Sequence, residues 1–284
     1  MMKTGIVFEG GAFRTVFSCG VMDSFLDEDI MPDYIIGVSA GAAYGTSYAA
    51  KQRGRDLNII MNYSHDKRYM GFRNLLNPKN RSYYGLDFAY NCVPHELVPF
   101  DYEEYSRFKG TFKVVVTNVL TGKPEYFPLT FEESKDKLLQ ATCALPLLFP
   151  FIYINDTPYL DGGLSDSIPF EKAFEDGCDK VVVVLTRQTG YKKTTSRSTK
   201  RITYLYKKYP ELVKDLLLRA ERYNASIDRL KKLENEGKVI VIRPTNTDGC
   251  GRLEKDFEKI QALYDDGIKK GNDIANEVKR FFNQ

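Results

Sequence analysis

The chain has 284 residues, of which 43% are hydrophobic and 28% charged, and its net charge is +3. That length suits one large α/β domain or two small ones, and the small charge carries no global signature of a nucleic-acid partner. Five widely spaced cysteines (Cys19, Cys92, Cys143, Cys178 and Cys250), odd in number and without any C-x-x-C, argue against a disulfide framework or a zinc site and fit a reducing, cytoplasmic setting.

The N-terminal MMKTGIVFEGG has an apolar run too short for a signal peptide or a membrane span, and no later segment approaches a span. Contact with lipid is therefore expected only peripherally, at a membrane surface. Thr4 to Phe8 (TGIVF) reads as a strand ending at glycines. Arg14 to Asp29 reads as a helix, with Phe17, Val21 and Phe25 recurring every four residues. Asp33 to Val38 is a second strand, and Ala40 to Arg53 a helix of small residues suited to close packing on a sheet. Three more strands are expected at Phe112 to Leu120, Lys180 to Leu185 and Lys238 to Ile242. Several of these runs are apolar on both faces, which belongs to a sheet covered on both sides.

Two amphipathic helices close the chain. Glu211 to Leu233 sets Val213, Leu217, Ala220, Tyr223, Ile227 and Leu230 on one stripe, and Leu253 to Phe281 sets Phe257, Ile260, Tyr264 and Ile268 on another. Tyr191 to Arg201 (YKKTTSRSTKR) reads as an exposed loop. It is either an ordinary solvated surface or a patch for anionic headgroups. Residues 62–99 carry no motif and read as a lid, a pocket wall or a surface excursion. The expected architecture is α/β, with a mainly parallel central sheet and helices on both faces. One domain spans 1–284: residues 1–185 carry the motifs, and 186–284 add the basic loop, a strand and helices.

Three short stretches carry chemistry. Gly37-Val38-Ser39-Ala40-Gly41 is G-x-S-x-G between a strand and a helix, where a serine stands proud of a sheet. A Gly-rich loop with a capping serine is the competing reading. Glu9-Gly10-Gly11-Ala12-Phe13-Arg14 follows a strand and opens a helix, so its backbone N–H groups suit negative charge. A dinucleotide loop needs glycines where this chain has Gly10, Ala12 and Thr15, one match in three. An oxyanion hole needs only N–H groups and tolerates Ala12. The serine also needs a base. The two histidines, His65 and His95, lie in polar or proline-flanked contexts and read as surface or packing residues. Asp161, in Pro158-Tyr-Leu-Asp161-Gly162-Gly163, is the better candidate, although an ordinary Asp-Gly turn is the competing reading.

In this order the three stretches resemble the patatin-like phospholipase family. The resemblance extends to Thr121–Phe127, to Ala141-Thr142-Cys143-Ala144-Leu145-Pro146 with Phe149-Pro150, and in the tail to Ile242–Pro244 and Ala262–Gly267. It implies a Ser-Asp dyad with Ser39 as nucleophile and Asp161 as base. It also implies an oxyanion hole at Gly10, Gly11 and Ala12, with Arg14, Gly37, Gly41, Gly162 and Gly163 in support. The implied activity is hydrolysis of lipid acyl esters, on phospholipid or lysophospholipid, through an acyl-enzyme and without a metal or other cofactor. Two departures, Ala12 and Thr15 where the family often has glycine, bear on loop geometry. An esterase or thioesterase for soluble esters, and a non-catalytic lipid-binding regulator on the same fold, are the alternatives. The oligomeric state is not legible.

Overall fold

The computed structural model describes residues 2–130, 135–195 and 197–283. Strand β1 (Thr4–Phe8) passes through a 3-10 turn (Ala12–Thr15) into helix α1 (Val16–Asp27). Strand β2 (Tyr34–Val38) runs into α2 (Ala40–Ala49). An excursion follows, built from α3 (Arg55–Tyr63), α4 (Phe72–Leu76), a π-helical segment (Phe88–Leu97) and α5 (Tyr102–Ser106). The middle of the chain supplies β3 (Thr111–Asn118), β4 (Pro124–Pro128), α6 (Lys135–Thr142), β5 (Ile152–Ile154) and β6 (Thr157–Asp161). After a 3-10 turn at Gly162–Leu164 come α7 (Phe170–Glu175), β7 (Lys180–Val184), α8 (Arg197–Leu205), α9 (Pro210–Asn235), β8 (Val239–Ile242) and α10 (Phe257–Asn283).

The strands form one sheet with the path β5-β6-β3-β2-β1-β7-β8, and β4 also pairs with β3. From β3 to β8 every pairing is parallel, while β4, β5 and β6 join antiparallel. The expected mainly parallel α/β sheet is thus present. Its two covered faces explain the absence of polar alternation in the strands. Ile6 and Phe8 pack in one core with residues of α1, α2 and α10, whereas Val7, between them, packs in a second core with α7 and α9.

Strand register places the catalytic candidates. Val38, the last residue of β2, lies opposite Val115 of β3. β4 pairs with Lys113 to Thr117, so it must occupy the other edge of β3. β6 pairs with Val116 to Asn118 on the edge that β2 has vacated, with Asp161 opposite Val116. The end of β2 and the end of β6 therefore meet on the same edge of β3, one residue apart in register.

The C-terminal helix is tightly joined to this frame. A Cβ at Gly20 of α1 would fall 2.2 Å from the Tyr264 carbonyl oxygen, and one at Gly267 of α10 2.1 Å from that of Phe17. Only glycines permit this backbone contact. Across the same seam the Tyr264 hydroxyl donates to Asp23 at 2.6 Å.

Some expectations need correction. The first helix begins at Val16 rather than Arg14, because Ala12 adopts a left-handed φ of 51° and the chain tightens into a 3-10 turn first. The second helix stops at Ala49, short of Arg53, where Lys51 turns to a φ of 50°. In α9 the buried stripe is Leu212, Leu216, Tyr223, Leu230 and Leu233, while Leu217 is 47% exposed. The consecutive apolar pairs Leu212-Val213 and Leu216-Leu217 allow two helical registers, and packing selects the other one. The basic loop is also only partly a loop. Arg197 to Arg201 belong to α8, Tyr191 and Lys193 are half-buried, and Ser196 lies outside the described residues.

Candidate active site

Ser39 occupies the sharp junction between β2 and α2 with φ 54° and ψ −130°. A non-glycine residue there is strained, and the surrounding structure must hold it. Its N–H donates to Thr142 Oγ1 at 2.8 Å, and that hydroxyl donates to the Val115 carbonyl at 2.6 Å. The C-terminus of α6 thus ties the turn to β3. The flanking glycines allow the helix to fold back on the strand. A Cβ at Gly37 would lie 2.5 Å from Ala42 Cα, and one at Gly41 2.5 Å from the Phe8 carbonyl oxygen. Ser39 also caps the N-terminus of α2, where the helix dipole favours developing negative charge.

Asp161 closes β6 and is 2% exposed. Its Oδ1 accepts from the Gly163 N–H at 2.8 Å, while Oδ2 is buried without a hydrogen-bond partner. Burial raises the carboxyl pKa; the Ser39 hydroxyl, then the Arg219 guanidinium, pull against that rise. Oδ2 therefore has capacity to spare for a proton. Gly162 is needed for close approach, since a Cβ would fall 2.2 Å from the Val115 carbonyl oxygen. Gly163 sits directly beneath, with its Cβ position 3.1 Å from Asp161 Oδ1.

The turn after β1 forms the third side. A Cβ at Gly10 would lie 2.7 Å from the Val38 carbonyl oxygen and 2.8 Å from Ser39 Cβ, so this backbone rests against the serine. Among the described residues, the N–H groups of Gly10, Gly11 and Ala12 donate to no backbone or side-chain acceptor. The turn is braced from behind. Buried Glu9 accepts from the Thr186 N–H at 2.7 Å and its hydroxyl at 3.0 Å, and Gly11 leaves room for Thr186. Arg14 is 5% exposed, and among the described residues its side chain makes neither a hydrogen bond nor an ion pair. Burial, then Arg187 and Arg252, push its pKa down to about 10.

Two cavities meet at this point, and Ala12, Ser39 and Leu145 line both. One, of about 150 Å³, is walled mainly by apolar and tyrosine side chains, including Ala43, Tyr44, Tyr69, Tyr84, Tyr90 and Phe149. Residues 62–99 therefore form part of a cavity wall. The other, of about 50 Å³, contains Asp161, Glu9 and five cationic side chains: Arg14, Arg187, Lys193, Arg219 and Arg252. Neither histidine lines either cavity. His65 stacks on Phe257 at 4.2 Å and meets the Lys255 carbonyl, and His95 stacks on Tyr102 at 5.7 Å.

The structure thus brings together Ser39, Asp161, Gly10, Gly11, Ala12 and Arg14, with Gly37, Gly41, Gly162 and Gly163 as the close-approach points. Sequence reasoning gave no role to Thr142 or Cys143, although both lie in the family-like run Ala141–Pro146. Burial and the charge of Asp161 push the Cys143 thiol up to about 12, while Tyr90 and the Ser39 hydroxyl act against this rise. The cations beyond residue 185 had no motif to reveal them. Among the described residues, no group of three or more His, Cys, Asp or Glu side chains could hold a metal ion. No described helix is long and apolar enough to cross a membrane.

The site thus sets a strained serine on a strand-to-helix elbow, of the kind that exposes a nucleophile in α/β-hydrolases, beside a buried carboxylate and a turn of unpaired N–H groups. Comparison with known proteins agrees: residues 6–174 match the model for patatin-like phospholipase. The chain belongs to the patatin-like phospholipase family. Residues 209–283 match a second model, described as a domain of unknown function (DUF6363). Among curated proteins, the chain is 27% identical over 189 residues to the uncharacterized protein YjjU of Escherichia coli, covering 65% of this chain and 52% of that protein. It is 22% identical over 290 residues to lysophospholipase NTE1 of Yarrowia lipolytica, covering 97% of this chain and 19% of that protein. The chain thus spans about half, or less, of these relatives' length. Among solved structures, VipD from Legionella pneumophila aligns with a TM-score of 0.46 at 14% identity, over 98% of this chain and 67% of that one.

Proposed function

We propose that the protein is a serine acyl-ester hydrolase that releases fatty acids from phospholipid or lysophospholipid through a Ser39–Asp161 dyad. The observation that carries this reading is the unpartnered Asp161 Oδ2 facing a strained Ser39 at the mouth of an apolar cavity. In this reading Ser39 Oγ attacks the ester carbonyl carbon as its proton passes to Asp161. The oxyanion is held by the N–H groups of Gly10, Gly11 and Ala12, each such donor contributing about 3–4 kcal/mol to the barrier reduction. The carbon–oxygen bond to the alcohol breaks, the alcohol leaves with the proton from Asp161, and the acyl group remains on Ser39. A water molecule then gives its proton to Asp161 and attacks the acyl carbon; the bond to Ser39 Oγ breaks, Asp161 returns the proton to the serine, and the fatty acid leaves. The acyl chain occupies the apolar cavity throughout. The 284 residues act as one unit, because residues beyond 185 complete the site from behind. The protein works at a lipid surface in the cytoplasm.

The test is hydrolysis of a medium-chain nitrophenyl ester by wild type, Ser39→Ala and Asp161→Asn, each checked for unchanged circular dichroism. Loss of roughly 10³-fold or more is expected for both variants. A fully active Asp161→Asn would transfer the base role elsewhere. An inactive wild type that still binds lipid would favour a non-catalytic regulator.

A further inference from the structure

The cationic cavity has no counterpart in the chemistry just described. Ester hydrolysis by Ser39 and Asp161 needs no cluster of positive charge, and four guanidinium groups beside the catalytic carboxylate oppose proton uptake by it. Among the described residues, none of Arg14, Arg187, Lys193, Arg219 and Arg252 forms an ion pair. Glu9 is the one other carboxylate lining the cavity, and it is committed to Thr186. Arg14 is 5% exposed with no partner for its Nε, a cost in free energy that a bound anion would offset. Three of the other four cations are fixed by neighbouring groups. Arg219 Nε donates to the Gly163 carbonyl at 2.6 Å, Arg187 donates to Thr247 Oγ1 at 3.3 Å and lies over the Tyr191 ring, and Lys193 lies 3.8 Å over the Tyr223 ring.

We propose that this cavity binds the phosphate of the substrate's headgroup and selects lipids with a terminal phosphomonoester, of the phosphatidate and lysophosphatidate class, over choline phospholipids. The inference rests on the hydrolase reading and names the substrate of that same site. Geometry favours a phosphate close to the scissile ester. Ser39 and all five cations line one cavity of about 50 Å³, so the anion lies within a glycerol's length of the carbonyl. An acyl thioester whose phosphates sit on a long carrier arm does not fit that spacing. A dianionic phosphomonoester offers three acceptor oxygens to the guanidinium forks. A choline ammonium would meet a cluster of guanidinium groups, with Asp161 already engaged at the reacting serine and both tyrosine rings that could receive it covered by Arg187 and Lys193. Burial, together with Arg219, Arg252 and Arg14, pushes the Lys193 pKa down to about 6, and a bound dianion would restore its charge.

The test uses the full chain carrying Ser39→Ala, so that binding is read without turnover. Calorimetry compares dihexanoyl phosphatidate, dihexanoyl phosphatidylcholine and inorganic phosphate. Phosphatidate is expected to bind about 30-fold tighter than phosphatidylcholine, with Arg187→Gln and Arg252→Gln each cutting that ratio by about 3–10-fold. Inorganic phosphate is expected to compete, but more weakly. Equal affinity for the two lipids overturns the proposal. Inorganic phosphate binding as tightly as phosphatidate also overturns it, leaving a free-anion site. Nitrophenyl ester hydrolysis by the wild type reports separately on the dyad, so selective binding without hydrolysis would sink the hydrolase alone.

Discussion

The two cavities that meet at Ser39 differ in origin as well as in chemistry. The apolar one is built by α2, residues 62–99 and the segment around Cys143, all within the span that matches the patatin-like model. The cationic one takes Arg187, Lys193, Arg219 and Arg252 from beyond that span, with only Arg14 from the N-terminal turn. The comparison separates two tasks. In the proposed mechanism the family segment supplies the reacting atoms and the acyl pocket, while the C-terminal segment sets the charge beside them. A chain can keep the first and change the second without touching the serine, the aspartate or the oxyanion turn.

That division can be strained from the chemical side first. In the proposed mechanism Asp161 must be ionised to take the proton, and burial raises its pKa. The acidic limb of kcat/KM on a neutral nitrophenyl ester is therefore expected above the ordinary aspartate range. Rates should fall about tenfold per pH unit below the midpoint. A limb at the pH of a free aspartate would remove Asp161 as the base. A smaller effect sharpens the apolar half. Ala43→Phe projects a ring into that cavity and should lower kcat/KM for a long-chain ester by roughly 30-fold, while a butyrate ester loses little. Equal losses on both esters would place the acyl chain elsewhere. Smaller again is the hinge between strand and helix. Thr142→Val removes the acceptor for the Ser39 N–H, and about a tenfold fall in kcat with little change in KM is expected.

The sequence carried the N-terminal half of this picture and little of the other. The strand-elbow-helix at Ser39 and the turn at Gly10 are local, written in glycines and apolar runs a few residues apart. Asp161 is distant by 122 positions yet could be found because its own Asp-Gly-Gly is recognisable, and β3 then delivers it to Ser39 through register alone. Thr142 acts through a single hydroxyl at a helix end, which leaves no periodic signal. The burial register of α9 is hidden by adjacent leucines. The cations are individually ordinary surface residues in the sequence, and only the fold gathers them. Strands β4, β5 and β6 are short or proline-bearing, which blurs the alternation by which strands are read.

The most direct test of the central claim is covalent labelling. Wild type, Asp161→Asn and Ser39→Ala would be incubated with a fluorophosphonate and followed by intact and peptide mass spectrometry. The account predicts one adduct per chain on the peptide carrying Ser39, formed far more slowly in Asp161→Asn and absent in Ser39→Ala. A folded wild type that forms no adduct, or one that carries it on a different serine, would contradict the account.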